Sequence, residues 1–416
     1  MCLNFNPDII VIGGGASGLM AAGRAAEVGA RVLLLEKMGR VGIKLALTGK
    51  GRCNLTNGGD LPSFIESYRH NGKFLHNVFS RFFNHDLLSF FQKRGLPTVE
   101  ERGRRVFPAS NRAQDVVRVL KEYGSSHGVR TLVHAPAQEV LPENGRVAGV
   151  KTDSGVMEAP RVILATGGCT YSQTGSTGDG YRMARTLGHT LQPLRPSLVP
   201  LETEERYVRD LQGLSLKNVR AALLASGQKV EEEFGEMLFT HFGVSGPIIL
   251  TLSGRAVDEL GRGKVELSID FKPALSPQQV DRRLLREFEA GGKKKIHNIL
   301  PNLLPQRMVP VFLKKAELPP DRKGGEIRAE ARKRMVHLLK DWRFTLRKAR
   351  PMEEAIVTAG GVTVKEIHPA TLESRILRGL YFCGELIDID GKTGGYNLQA
   401  AFSTGWAAGE AAAKGP

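Results

Sequence analysis

Cysteine is scarce and scattered. The four cysteines, Cys2, Cys53, Cys169 and Cys383, include no C-x-x-C pair. That argues against a disulfide framework or a zinc site and for free thiols in a reducing compartment, the cytoplasm being the default. No His/Cys/Asp/Glu cluster has metal-ligand spacing. Aromatic residues make up only 6% of the chain, which leaves few platforms on which an exposed base could stack. No stretch approaches the roughly 18 apolar residues of a membrane span. The first apolar run, from Asp8 to Ile12, starts too early to leave room for a cleaved signal or transit peptide.

Acidic residues are also short. The 43 Asp and Glu face 59 Lys and Arg, for a formal charge of +16 over 416 residues. The imbalance is local: Asp281 to Arg350 holds 20 basic against 8 acidic residues, a surplus of 12. A charge needed only for solubility would be spread out, whereas a concentrated one reads as the footprint of a polyanion. A set of solvated helix faces is the plainer alternative.

Glycine is abundant, at 48 residues, and it clusters where backbone would approach a ligand. The chain is long enough for two or three domains. At its start an apolar strand, Ile9 to Ile12, runs into Gly13-x-Gly15-x-x-Gly18, then a helix to Val28 and a second apolar strand, Val32 to Leu35. Continuous apolar strands flanking a helix indicate a parallel sheet covered on both faces. The first glycine permits the turn, the second admits a pyrophosphate and the third allows close helix–strand contact. Glu36, 18 residues after Gly18, stands where an acid bonds both ribose hydroxyls and repels a 2′-phosphate. This half is expected to bind FAD or NAD rather than NADP.

Two further segments favour FAD. Val162 to Gly168 resembles the strand–Ala-Thr-Gly element of two-dinucleotide-binding flavoproteins, and Tyr381 to Glu385 resembles their late strand ending in Gly-Asp, with Glu in place of Asp. Elsewhere, Gly39 to Gly59 reads as a polar functional loop, Asn111 to Tyr123 as an amphipathic helix and residues 195–270 as β-rich. From Ser276, a candidate N-cap, to about Lys340 the chain reads as basic and helical. Leu380 to Phe382 returns to a strand, and Asn397 to Ala413 forms an Ala-rich helix. The expected fold is α/β: a discontinuous Rossmann-like FAD-binding domain (1–194 and 345–416) with an inserted β-barrel-like region (195–270) and a basic helical region (271–344).

The expected cofactor contacts are Gly13, Gly15, Ala16, Ser17 and Gly18 at the first turn, and Glu36 and Lys37 after the second strand. Lys44, Gly51, Arg52 and Asn54 in the polar loop join them, with Ala165, Thr166 and Gly167 after the third apolar strand. The set closes with Gly384 and Glu385, then Gly395, Tyr396, Asn397 and Leu398 at the start of the last helix.

With those residues placed, the chain resembles the BaiN/RdsA-type (YhiN-like) family of NAD(P)/FAD-dependent oxidoreductases. The resemblance rests on Gly42 to Asn57, Ala165 to Gly180, Leu238 to Pro247, Val357 to Val362 and Gly384 to Gly405, and the strings GRCNLTN and GGYNLQ are specific. It implies reduction of an activated C=C bond, either in steroid-like enones or in a uracil of large-subunit ribosomal RNA, the latter giving dihydrouridine. Hydride would come from the flavin and a proton from the protein. No second GxGxxG unit is present for NAD(P)H, so either that reductant docks transiently over the flavin or another electron donor takes its place.

Cys53 is the leading candidate for the proton donor, because the adjacent Arg52 would lower its thiol pKa. A small residue packed beneath the flavin is the alternative. Tyr396 is second, at a helix start that would stabilise negative charge on the flavin. His241 is third, as an acid, a phosphate contact or a structural histidine. Lys293, Lys294, Lys295, Arg332, Lys333 and Arg334 are the expected RNA contacts. Three functions remain open on this reading: an RNA uracil reductase, a reductase of small enones or unsaturated acids, and a non-catalytic, flavin-containing ribosome-binding protein.

Overall fold

The computed structural model describes residues 5–415, so Cys2 lies outside the described residues. The chain divides into two compact units, residues 1–195 with 356–416, and residues 196–355.

The first unit is built on a five-stranded parallel sheet. Its strands are β1 (Ile9–Ile12), β2 (Val32–Leu35), β3 (Arg130–Leu132), β4 (Val162–Leu164) and β5 (Leu380–Phe382), in the order β5-β4-β1-β2-β3. All residues of β1, β2, β4 and β5 are buried, as a sheet covered on both faces demands. Each fully buried Ile or Leu contributes about 1.5–3 kcal/mol. Two helices cover it, α1 (Ala16–Glu27) and α2 (Tyr396–Lys414). They touch through small residues: a Cβ on Gly405 would lie 2.3 Å from the Ser17 carbonyl oxygen, and one on Gly409 would lie 2.3 Å from that of Ala21. The chain runs from β1 outward to β2 and β3, then returns to β4 on the other side of β1. That reversal leaves a crevice at the carboxyl ends of β1 and β4, where α/β sheets bind ligands.

Gly39 to Gly59 is more structured than a polar loop. It holds a short helix, Ile43–Leu47, and a strand, Thr56–Asn57, that joins the antiparallel hairpin Thr98–Glu101/Arg105–Pro108. Leu45, Cys53, Leu55, Thr56 and Asn57 are buried. Backbone pairing removes the desolvation cost that the polar composition suggested.

The second unit is a closed antiparallel barrel. Its strands are Leu201–Thr203, Gly243–Ser245, Gln228–Phe239, Ser215–Ala225, Val265–Asp270 and Trp342–Ala349, in that order around the barrel. The boundary expected at residue 345 falls inside the last strand, which pairs with both Val265–Asp270 and Leu201–Thr203 and so belongs to the barrel. A 14-residue helix, Pro247–Leu260, interrupts the stretch read as β-rich and buries Ile248, Ile249, Leu252 and Ala256.

The β-rich and helical regions also share one core. Trp342 lies 6.0 Å from the Phe312 ring and donates through Nε1 to the Tyr207 hydroxyl at 3.0 Å. Ser276 caps the helix Pro277–Ala290, accepting from the Gln279 N–H while Gln279 Oε1 accepts from the Ser276 N–H. Among the described residues no helix is long and apolar enough to cross a membrane.

Candidate functional site

The parallel strands of the first unit end together, and each ends in a residue with a job. β1 runs into Gly13, whose φ of +105° only glycine adopts easily. A Cβ there would stand 2.5 Å from the Ala165 carbonyl oxygen, at the crevice between β1 and β4. Gly18 has no room either, since its Cβ would fall 1.8 Å from the Gly13 carbonyl oxygen. Gly15 is the opposite case: a Cβ would meet nothing within 4 Å. Space therefore opens directly before α1, whose N-terminus has no side-chain cap. Unsatisfied N–H groups beside open space form an anion seat.

Glu36 follows β2. One carboxylate oxygen accepts from the Gly14 N–H and the other from the Met38 N–H, both at 2.8 Å. After β4, Thr166 buries its hydroxyl with no partner, and Gly167 takes a φ of +73°. After β5, Glu385 accepts from Lys44 Nζ at 2.8 Å and from the Thr358 N–H at 2.8 Å. Lys44 also donates to Thr170 at 2.8 Å. Lys37 is held by Asp179 at 2.6 Å.

The start of α2 closes the set. Gly395 has φ +102° and would place a Cβ 2.4 Å from the Thr56 backbone. In the amide orientation that satisfies its neighbours, Asn54 accepts from the Gly395 N–H at 3.0 Å and donates to the Thr56 and Val106 carbonyls. Asn397 staples the preceding loop through the Gly391 N–H and carbonyl, both at 2.8 Å. Tyr396 packs edge-on against Phe64, with ring centroids 4.8 Å apart, while its carbonyl accepts from Tyr68.

Two uncapped helix starts, an open glycine, an orphaned buried hydroxyl and a carboxylate after β2 fit a dinucleotide laid across the strand ends. The donors and φ values suit the pyrophosphate and ribose of such a dinucleotide.

The proposed acids fare differently. Cys53 is fully buried, and burial pushes its thiol up to about 12, eased only by a hydrogen bond from Thr48. The expected lowering by Arg52 is absent because that guanidinium turns away. It pairs with Glu101, donates to Asn111 at 2.8 Å and stacks on Phe107 at 4.2 Å. His241 is exposed in the turn between two barrel strands of the second unit, against Phe242. Cys53 and Tyr396 share the first unit.

Sequence reasoning missed Thr170 and Thr358, both in the Glu385 network, and Asp388. Burial raises the Asp388 carboxyl above the ordinary range against the lowering effect of Asn71, which donates to it at 2.9 Å. Thr358 lies in the Val357 to Val362 string, which already stood out.

The basic residues also separate. Lys293 and Lys294 are exposed and make no side-chain ion pair or hydrogen bond among the described residues, as is true of Lys333. Lys295 pairs with Asp321 at 2.6 Å, Arg332 with Asp281 at 2.6 Å, and Arg334 donates to the Ala316 carbonyl.

Comparison with known proteins adds the family. The model described as HI0933-like protein Rossmann domain matches residues 7–411. A 3-dehydro-bile acid delta(4,6)-reductase of Clostridium scindens is 34% identical over 98% of this chain and 99% of its own. A ribosomal RNA dihydrouridine synthase of Haemophilus influenzae is 30% identical over 96% of each. Among solved structures, a 3-ketosteroid delta1-dehydrogenase from Sterolibacterium denitrificans superposes with a TM-score of 0.55 at 15% identity, over 99% of this chain and 100% of its own. At that identity the likeness speaks for the fold.

Proposed function

The chain belongs to the HI0933-like Rossmann-domain family and is an FAD-dependent oxidoreductase, and from that premise we propose that it reduces a uracil base of large-subunit ribosomal RNA to dihydrouridine in the cytoplasm. The observation that carries this reading is the unpaired lysine pair Lys293 and Lys294. The segment 292–296 runs alongside 322–325, through Gly324 N–H to the Lys294 carbonyl at 3.0 Å and Ile296 N–H to the Arg322 carbonyl at 2.7 Å. Arg322 and Lys323, remote in sequence, thereby join Lys293 to Lys295 on one exposed surface. Cations without acidic partners attract phosphates and release counterions.

FAD, when bound and reduced, supplies hydride; NAD(P)H docking transiently is the reductant in this reading. The protein's own residues hold the rest. Glu36 meets the ribose, the α1 start meets the pyrophosphate, and Glu385, fixed by Lys44 and Thr358, meets the ribityl chain. The proton comes from the loop between β5 and α2, where Asp388 stays protonated to higher pH than an ordinary carboxyl, or from the phenol of Tyr396 at the first position of α2. Cys53 is buried with its thiol pushed up and is not the acid in this reading.

A second reading has its own observation, the 34% identity to a bile acid reductase: reduction of a small enone. Mass spectrometry of ribosomal RNA nucleosides from a strain lacking the protein decides. Loss of a dihydrouridine, about two daltons above uridine, supports the RNA reading; an unchanged nucleoside profile overturns it.

A further inference from the structure

A second cluster of cations lies within the FAD-binding unit, on elements that the RNA reading has not used. The hairpin Thr98–Glu101/Arg105–Pro108 turns through Arg102, Gly103 and Arg104, with Gly103 and Arg104 both at positive φ. Arg102, Arg104 and Arg105 are exposed. Phe107 of the same hairpin supports the Arg52 guanidinium, and Gly49 packs near that ring, with a Cβ there 3.6 Å from it. Lys50 follows, exposed and at φ +59°, and Arg112 lies just beyond the hairpin. Lys50 and Arg112 make no side-chain ion pair or hydrogen bond among the described residues. The acids nearby include Asp60, whose carboxyl is lowered chiefly by Ser63 and in part by Arg104. Glu101 is taken by Arg52, and Glu100 lies 3.6 Å from Arg104 in a pair exposed on both sides, which is worth little.

The turn is also rigidly tied to the cofactor cradle. Asn57 Nδ2 donates to the Gly103 carbonyl at 3.0 Å and to the Gly394 carbonyl at 3.2 Å, so one side chain joins the hairpin tip to the start of α2. The Gly58 N–H donates to the Arg104 carbonyl at 2.7 Å and ties the turn a second time. Cations on a turn anchored beside the flavin seat lose little entropy on binding and hold what they bind in register.

We propose that this turn, with Lys50 and Arg112, is the phosphate clamp for the nucleotides flanking the reduced base. The proposal rests on the RNA reading above. It assigns the lysine surface of the second unit to general affinity and the arginine turn to placement of the reacting nucleotide, because a base leaving its stack must have its own backbone held.

The test is the variant Lys50→Asn/Arg104→Asn/Arg112→Gln in the full chain. Asn tolerates the left-handed backbone at the first two positions. Retained 450-nm flavin absorbance reports an intact fold. Binding and turnover are measured on an unmodified large-subunit ribosomal RNA transcript at several salt concentrations. The clamp predicts a KM at least tenfold higher, a smaller change in kcat and a log–log salt slope shallower by about 2 for three lost single-strand phosphate contacts. If the wild-type protein binds and reduces the transcript and the variant matches it in KM and slope, the clamp is wrong while the function stands. If the wild-type protein neither binds nor reduces the transcript, both fall.

Discussion

The strand ends of the first unit and the lysine surface of the second hold their cations in opposite ways. At the strand ends of the first, each lysine is spoken for: Lys37 by Asp179 and Lys44 by Glu385 and Thr170. On the second, Lys293, Lys294 and Lys333 have no acidic partner among the described residues. Paired charges fix geometry, which a small cofactor needs at a few points. Unpaired charges raise the local potential, which a polyanion feels along its length. The strand ends of the first unit thus suit recognition through backbone shape, and the lysine surface of the second, on the RNA reading proposed above, suits recognition through charge density.

Substitutions can break that contrast. The largest effect is expected at the backbone. Gly18→Val would drive a side chain into the Gly13 carbonyl oxygen, so α1 must leave β1. Overpacking of this kind costs roughly 1–3 kcal/mol or more, and the purified variant should be colourless; full 450-nm absorbance would show that the first unit does not bind through close glycine contacts.

A smaller effect is expected on the second unit. Lys293→Gln/Lys294→Gln should leave the flavin spectrum intact and flatten the salt dependence of RNA binding by about 1.5 on a log–log plot. An unaltered slope in filter binding would mean that these lysines are only solvated.

The smallest is at Cys53. The thiols of Cys53 and Cys383 are both pushed up to about 12 by burial. The unfolded chain ionises them from about pH 8.5, so the folded state binds more protons above that pH and stability falls as pH rises towards 12. Removing one such thiol as Cys53→Ala should flatten the decline of Tm between pH 9 and 11 and leave turnover near neutral pH within about threefold. A collapse of turnover would restore Cys53 as an acid.

Local signals were the readable ones. Ile9 to Glu36 declares strand, turn, helix, strand and acid within one short stretch, and Ser276 with Gln279 declares a helix start, because each depends on neighbours in the chain. Gly243 to Pro247 looks like a capped helix start, and a helix does begin at Pro247, but its 14-residue extent inside a β-rich stretch was not readable. Its apolar run suits either form, and the barrel it packs on decides. The strand Trp342–Ala349 was assigned to the wrong unit for a related reason: its partners lie near residues 202 and 267. Cys53 reads in the sequence either as an acid activated by Arg52 or as a small buried residue, and its full burial in the structure, beside the pairing of Thr56–Asn57 with the hairpin, favours the second.

Glycine spacing, apolar strands and an acid after the second strand are written in the chain itself and suffice for a Rossmann-like dinucleotide fold, since a tight turn constrains residue type wherever it occurs; FAD and the family rest on the longer strings around Ala165, Gly384, GRCNLTN and GGYNLQ. Which cations stay unpaired, which thiol is buried and that Lys323 stands opposite Lys295 were decided only in three dimensions. A charge or a thiol has no fixed chemistry until folding chooses its neighbours and its access to water.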